Sequence, residues 1–169
     1  MSAQPKDHRA CYMSEIGLIE IIGNLTAIKA VRFIEPEAGD SSNDGLEMPP
    51  PVAECLAQLD EYFRGIRQTF SLALAPEGTE FQQAVWQQLT HIPFGQTASY
   101  LDIARAVGNE KAVRAVGAAN VQKPIVIIVP CHRVIGSNGR LTGYGGGLWR
   151  KEWLLNHEGA VAGQQMRLF

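Results

Sequence analysis

No apolar run in this 169-residue chain comes near the ~20 residues that a membrane-spanning helix needs. The most conspicuous run, Ile125 to Val129, has only five residues. Cysteine is equally scarce. Cys11, Cys55 and Cys131 cannot all pair, and their scattered spacing matches neither a disulfide framework nor a common zinc pattern. A zinc site drawn from Cys11, Cys55 and His8 or His91 would lack ligand spacing, so no metal or cofactor is expected. The few thiols point to a reducing, cytoplasmic setting. Met1 to Arg9 are polar, with no apolar segment after a basic start, so no secretory leader is expected. Internal repeats and low-complexity tracts are missing too.

What is present is the composition of a globular protein, 46% hydrophobic and 19% charged. The net charge of −2 conceals two blocks of opposite sign. Met1 to Gly78 carries 6 Lys/Arg against 12 Asp/Glu, whereas Thr79 to Phe169 carries 9 against 5. The chain therefore reads as two modules, 1–78 and 79–169, with different partners. A modestly positive second module is compatible with phosphate binding.

In the first module, Leu18 to Ile22 and Leu25 to Ile34 flank Gly23-Asn24 as two strands of a tight hairpin. The span from Glu35 to Pro51, with its prolines and polar run, reads as a loop. Val52, Cys55, Leu56, Leu59, Phe63 and Ile66 recur at helical spacing, which makes Cys55 a core residue. Phe70 to Leu74 alternates weakly, as a further strand would, and Ala75 to Gly78 reads as a linker.

The second module opens on a capping-box pattern, Thr79 with Gln82, before the helical face of Phe81, Val85 and Leu89. Pro93-Phe94-Gly95 ends that helix, and Ser99 with Asp102 announces another. Gly108-Asn109 makes a short turn, after which Glu110 to Asn120 resumes helical spacing. Helix, brief turn, helix is the layout of a helix-turn-helix, although many helical hairpins share it. The second of these helices is rich in small residues, among them Ala112, Ala115, Gly117, Ala118 and Ala119. Small side chains allow close approach to a groove, or equally to another helix.

Ile125 to Val129 reads as a buried strand that must stop at Pro130, which cannot donate to a ladder. Cys131, His132 and Arg133 follow at once. A thiol beside an imidazole and a guanidinium is poised to ionise, and the thiolate is the reactive form. The alternative is a small apolar residue closing the core. Beyond it lies a glycine-dense loop around Tyr144, then a helix from Leu148 to Asn156 with Trp153 and Leu154 as core, closed by His157-Glu158-Gly159.

These segments together resemble the O6-alkylguanine-DNA alkyltransferase family. The resemblance rests on Phe94-Gly95 through Ser99-Tyr100, Arg114-Ala115-Val116-Gly117, Ile128 through Val134, Gly143-Tyr144, Gly146-Gly147 and Lys151 through Leu155 with His157-Glu158-Gly159. It implies an α/β N-terminal module of ribonuclease-H-like appearance and a mainly α C-terminal domain holding a helix-turn-helix. The implied activity is repair of double-stranded DNA. An alkyl group on O6 of guanine, or on O4 of thymine, passes irreversibly to the protein, once per molecule. The implied encounter is through the minor groove, with the damaged base flipped out. It also implies that Cys131 accepts the alkyl group, that His132 is the base and that Glu158 orients the imidazole. Tyr100 would rotate the nucleotide and hydrogen-bond the extruded base, and Arg114 would fill the vacated stack. Lys111, Ala112 and Gly117 would lie along the DNA. Val134, Tyr144, Gly145 and Lys123 fall around the substrate pocket. The expected state is a monomer, able to bind cooperatively along DNA, with no membrane partner.

Two positions depart from the family pattern. Lys123 stands where members usually carry an asparagine bracing the link to the active-site strand. Gly145 stands where Ser or Ala is usual, which leaves a backbone donor and room for bulkier alkyl groups. A damage sensor would lack the cysteine, and Cys131 argues against one. A cysteine hydrolase is disfavoured, because adjacent Cys and His rarely reach catalytic geometry.

Overall fold

The computed structural model describes residues 6–36, 47–122, 124–141, 143–144 and 146–160. Much of the expected loop, as well as Lys123, Gly145 and the tail beyond Ala160, lies outside the described residues. The chain divides into two compact units, Met1–Glu77 and Gly78–Phe169.

Unit 1 is an antiparallel sheet in the order β1 (His8–Ser14), β2 (Gly17–Gly23) and β3 (Ile28–Ile34). The first strand escaped the sequence reading, because His8 to Ser14 mixes polar and apolar residues without clean alternation. The β2–β3 connection is longer than a two-residue hairpin. Asn24 builds it, its Oδ1 accepting from the backbone of Thr26 at 2.8 Å and of Ala27 at 3.1 Å. Buried Glu20 on the middle strand is bonded by Arg9 and Arg32 of its two neighbours. Burial alone would raise its pKa, but the two guanidinium groups outweigh that and lower it.

Helix α1 (Pro50–Phe63) covers the sheet with Val52, Cys55, Leu59, Tyr62 and Phe63. Its prolines lie in the first turn, where a missing N–H costs nothing. The expected extension to Ile66 does not form. The helix stops at Phe63, and Ile66 is exposed. Burial pushes the Cys55 thiol up to about 12, so this cysteine is core, as its spacing indicated. The expected strand at Phe70 to Leu74 reduces to a single parallel bridge between Leu74 and Ile28. Just before it, Gln58 clamps Ser71, accepting from its N–H at 3.0 Å and donating to its carbonyl at 3.2 Å.

Unit 2 begins with α2 (Glu80–Leu89), whose Thr79–Gln82 capping box is fully formed. Trp86 Nε1 donates to the Ala119 carbonyl at 2.9 Å, tying α2 to α4 (Val113–Val121). Strand β4 (Ala98–Ser99) runs straight into α3 (Tyr100–Ala106), which Ser99 and Asp102 cap reciprocally. Gly108, at φ +88°, turns the chain, and Asn109 Oδ1 accepts from Lys111 N at 3.1 Å. Helix α4 then starts three residues later than its periodicity suggested, because Glu110, Lys111 and Ala112 are spent in the turn.

The segment Ile125 to Val129 is buried as expected, yet it is not a strand. Ile128 N bonds to Val126 O at 2.7 Å, closing a three-residue turn around Ile127 at φ +69°. Cys131 N bonds to Val129 O at 2.8 Å, closing a second turn around Pro130 at φ −82°, ψ 64°. An apolar run reports burial, not dihedral angles, and these backbone groups find partners within the run itself. The coiled segment ends in a 3-10 turn, Cys131–Arg133, and then β5 (Val134–Ile135). Strand β5 pairs in parallel with β4, placing Ala98 opposite Val134 and Ser99 opposite Ile135. Helix α5 (Leu148–His157) closes the unit, with Leu154 and Leu155 buried and Trp153 only half-buried, stacked on His157 at 4.9 Å. No described helix is long and apolar enough to cross a membrane.

Candidate active site

Cys131 opens the 3-10 turn and has no exposed surface. The residue after it, His132, is also wholly buried, and its Nε2 donates to Glu158 Oε2 at 2.8 Å. Glu158 arrives from the far end of α5, where it is the C-terminal capping residue. Its second oxygen accepts from Arg133 Nε at 2.8 Å, while Arg133 Nη2 reaches Oε2 at 3.0 Å. Arg133 Nη1 also donates to the Ile92 carbonyl at 2.6 Å.

One carboxylate therefore holds both His132 and Arg133. Burial would raise the pKa of Glu158, but the charge and hydrogen bonds of His132 and Arg133 win and hold it far below the ordinary carboxylate range. The guanidinium, expected beside the thiol, is committed to Glu158 instead. Gly95 permits the close packing of this corner. It sits at φ +82°, and a Cβ there would stand 3.2 Å from the Glu158 carbonyl.

Tyr100 is the first residue of α3 and follows the β4 strand that pairs with β5. Its half-buried ring packs near Gly117 of α4, and a Cβ on Gly117 would meet the ring at 4.0 Å. A Cβ on Gly143 would lie 4.0 Å from the Tyr100 hydroxyl. The Lys151 ammonium sits 5.8 Å from the ring centre, within reach of a cation–π attraction. Val134 and Tyr144 are buried as well. On α4, Lys111 and Arg114 are exposed at or before the first turn, Ala112 and Gly117 are half-buried, and Ala115 and Ala118 are exposed. The helix thus presents small residues and a cation outward while Val116, Ala119 and Asn120 face the core.

Two residues that sequence reasoning passed over belong to this corner. Lys151 is completely buried, and Asn120 donates from Nδ2 to the Cys131 carbonyl at 3.4 Å. Both were detectable from periodicity. Lys151 lies three and four residues before the core pair Leu154 and Leu155, and Asn120 lies four after Val116. A polar residue on an apolar helical face needs a partner, and so marks a site or a brace. Among the described residues, no group of three or more His, Cys, Asp or Glu could hold a metal ion.

Residues 80–160 match the family model described as the 6-O-methylguanine DNA methyltransferase DNA-binding domain, and residues 8–76 match its ribonuclease-like domain. The methylated-DNA–protein-cysteine methyltransferase of Methanosarcina acetivorans is 48% identical over 152 residues, covering 89% of this chain and 97% of that protein. Among solved structures, the O6-methylguanine methyltransferase of Mycobacterium tuberculosis matches at 42% identity with a TM-score of 0.79, over 92% of this chain and 94% of that one. The same relative solved in complex with DNA matches at the same TM-score over 96% of this chain and 99% of that chain. With both units matched and near-complete coverage of its relatives, the chain belongs to the 6-O-methylguanine DNA methyltransferase family.

Proposed function

We propose that this protein repairs DNA by moving an alkyl group from O6 of guanine to the Cys131 sulfur, irreversibly and once per molecule. The observation that carries the reading is the buried run Cys131-His132-Arg133, with its imidazole and guanidinium both held by Glu158. This is the order of nucleophile, base and orienting group found in activated cysteines. Glu158 takes Nε2, so the opposite nitrogen, Nδ1, exchanges the thiol proton through a water. The thiolate attacks the alkyl carbon in line as the carbon–oxygen bond breaks. The electron pair returns to the guanine, which takes a proton from the Tyr100 side. The Lys151 ammonium lies 5.8 Å from the Tyr100 ring centre. The resulting thioether has no ready leaving group, so the protein is spent.

Because Cys131 lacks exposed surface, the substrate must bring its alkyl carbon inside. An extruded base entering among Tyr100, Val134 and Tyr144 meets that need. In this reading α3, the turn and α4 act as a helix-turn-helix laid in the minor groove. The exposed small residues of α4 allow close approach, Arg114 occupies the vacated base position, and Lys111, Ala112 and Gly117 line the contact. The M. tuberculosis relative solved in complex with DNA supports a DNA partner here. O4-alkylthymine is a second substrate, and the protein works as a cytoplasmic monomer that can load cooperatively on DNA.

The test is incubation with an O6-methylguanine duplex, followed by intact mass and peptide mapping. One methyl group on the Cys131 peptide, in a single burst equal to the protein amount, is expected. Transfer surviving in Cys131→Ala, or sustained turnover, would overturn the proposal.

A further inference from the structure

The first turn of α5 carries an arrangement that the reaction as described does not use. Leu148 and Trp149 are exposed there, Trp149 at 57%, directly after the segment bearing Tyr144. An aromatic ring left that open has little packing reason to sit in one place. Yet the Arg150 guanidinium lies 4.6 Å from the Trp149 ring centre, and its Nη1 donates to the Gly146 carbonyl at 2.9 Å. The indole rests against Gly147, where an added Cβ would meet Trp149 Cδ1 at 3.3 Å and Nε1 at 3.4 Å. Gly147 is at φ +96°, which favours glycine, and its N–H donates to the Tyr144 carbonyl at 2.9 Å. A chain of contacts thus runs from an exposed indole through Arg150 to Gly146, and through Gly147 to the buried Tyr144.

Resting on the function proposed above, we propose that Trp149 and Arg150 form a clamp that positions the Tyr144 wall of the alkyl-acceptor pocket and thereby sets which alkyl groups fit. Stacking fixes the guanidinium plane, and the fixed guanidinium holds the Gly146 carbonyl. The pair touches no reacting atom; both are positioning residues. Loss of the clamp lets the wall yield, which misplaces a methyl carbon but gives space to a larger group. Its strength is that of one partly exposed cation–π contact and one charge-assisted hydrogen bond.

The test compares wild type, Trp149→Ala, Arg150→Ala and Trp149→Phe in the full chain. Transfer from O6-methylguanine and O6-benzylguanine duplexes is followed over a range of DNA concentrations. For both alanine variants the maximal methyl-transfer rate is expected to fall about threefold to tenfold. The half-saturating DNA concentration should stay unchanged, and the benzyl-to-methyl rate ratio should rise at least threefold. Trp149→Phe, which keeps a stacking ring, should restore most of the rate. Amide exchange at Gly147 should speed up severalfold in the alanine variants alone. A raised half-saturating concentration with unchanged maximal rate would make the pair a DNA contact and overturn the clamp. So would an unaltered substrate ratio together with unaltered exchange. Failure of the wild type to transfer at all would instead defeat the underlying function, and the exchange measurement would still judge the clamp.

Discussion

Three hydrogen bonds converge on the Glu158 carboxylate, two from Arg133 and one from His132, all out of contact with solvent. Removing its charge strands a guanidinium in the core, and breaking one partner of a buried pair costs about 3–5 kcal/mol. Glu158→Gln is therefore expected to lower unfolding stability by that amount in a urea titration and to slow alkyl transfer. The pH dependence follows from the depressed pKa. The folded state holds Glu158 ionised well below its unfolded value near 4.5, so its contribution is complete above about pH 5. It is lost progressively as pH falls from there toward the folded pKa. Wild-type stability should be flat from pH 5 to 8 in this respect and decline in acid, and the Gln variant should show a shallower acid decline. At the sulfur itself, Cys131 has no exposed surface, so an added methyl group must be housed inside the protein. A methyl group added there overpacks the site by about 1–3 kcal/mol, and the alkylated protein should melt at least about 2 °C lower by calorimetry.

Two capping boxes of the same design begin α2 and α3, and they separate stability from chemistry at the level of the element. Either cap replaced by alanine should cost about 1 kcal/mol. Thr79→Ala should cost only that, since α2 carries no site residue. Ser99→Ala loosens the turn that begins with Tyr100, so its transfer rate should also fall severalfold at saturating DNA. Equal rates in the two variants would disconnect Tyr100 placement from its cap. The caps were readable in sequence because their signal is local, a hydroxyl followed three residues later by a side chain able to bond back. The amphipathic spacing of α1, α2 and α5 was readable for a similar reason. Ile125 to Val129 was not, because a fully apolar run has no periodicity and nothing in it announces the turn at Ile127. Nor was β1, whose Glu20 partnership with Arg9 exists only once the strands pair. The nucleophile and its neighbour were legible from Pro130 to Val134, whereas the seat of Arg133 on Glu158 depends on contacts 25 residues apart.

Over the whole molecule, charge is divided between the units, acidic in the first and basic in the second. Among the described residues of unit 2, several cations are already engaged within the protein. Arg133 is buried on Glu158, Lys151 is buried beneath Tyr100, and Arg105 pairs with Glu110 at 3.2 Å. Exposed Lys111 and Arg114 lie together at the start of α4. Duplex binding by the proposed face should consequently weaken with salt along a shallow line, since each neutralised phosphate contributes about −0.9 to the slope of log affinity against log salt. Two to four contacts give a slope of roughly −2 to −4. Lys111→Ala should flatten that slope by about 1 and weaken binding to every duplex alike. Arg114→Ala should behave otherwise. Its side chain is proposed to fill the stack after the base has left, so the variant should lose transfer rate at saturating DNA beyond any loss of affinity. If both substitutions changed only the salt slope, Arg114 would be one more phosphate contact, and the energy for extruding the base would have to come from Tyr100 and the pocket alone.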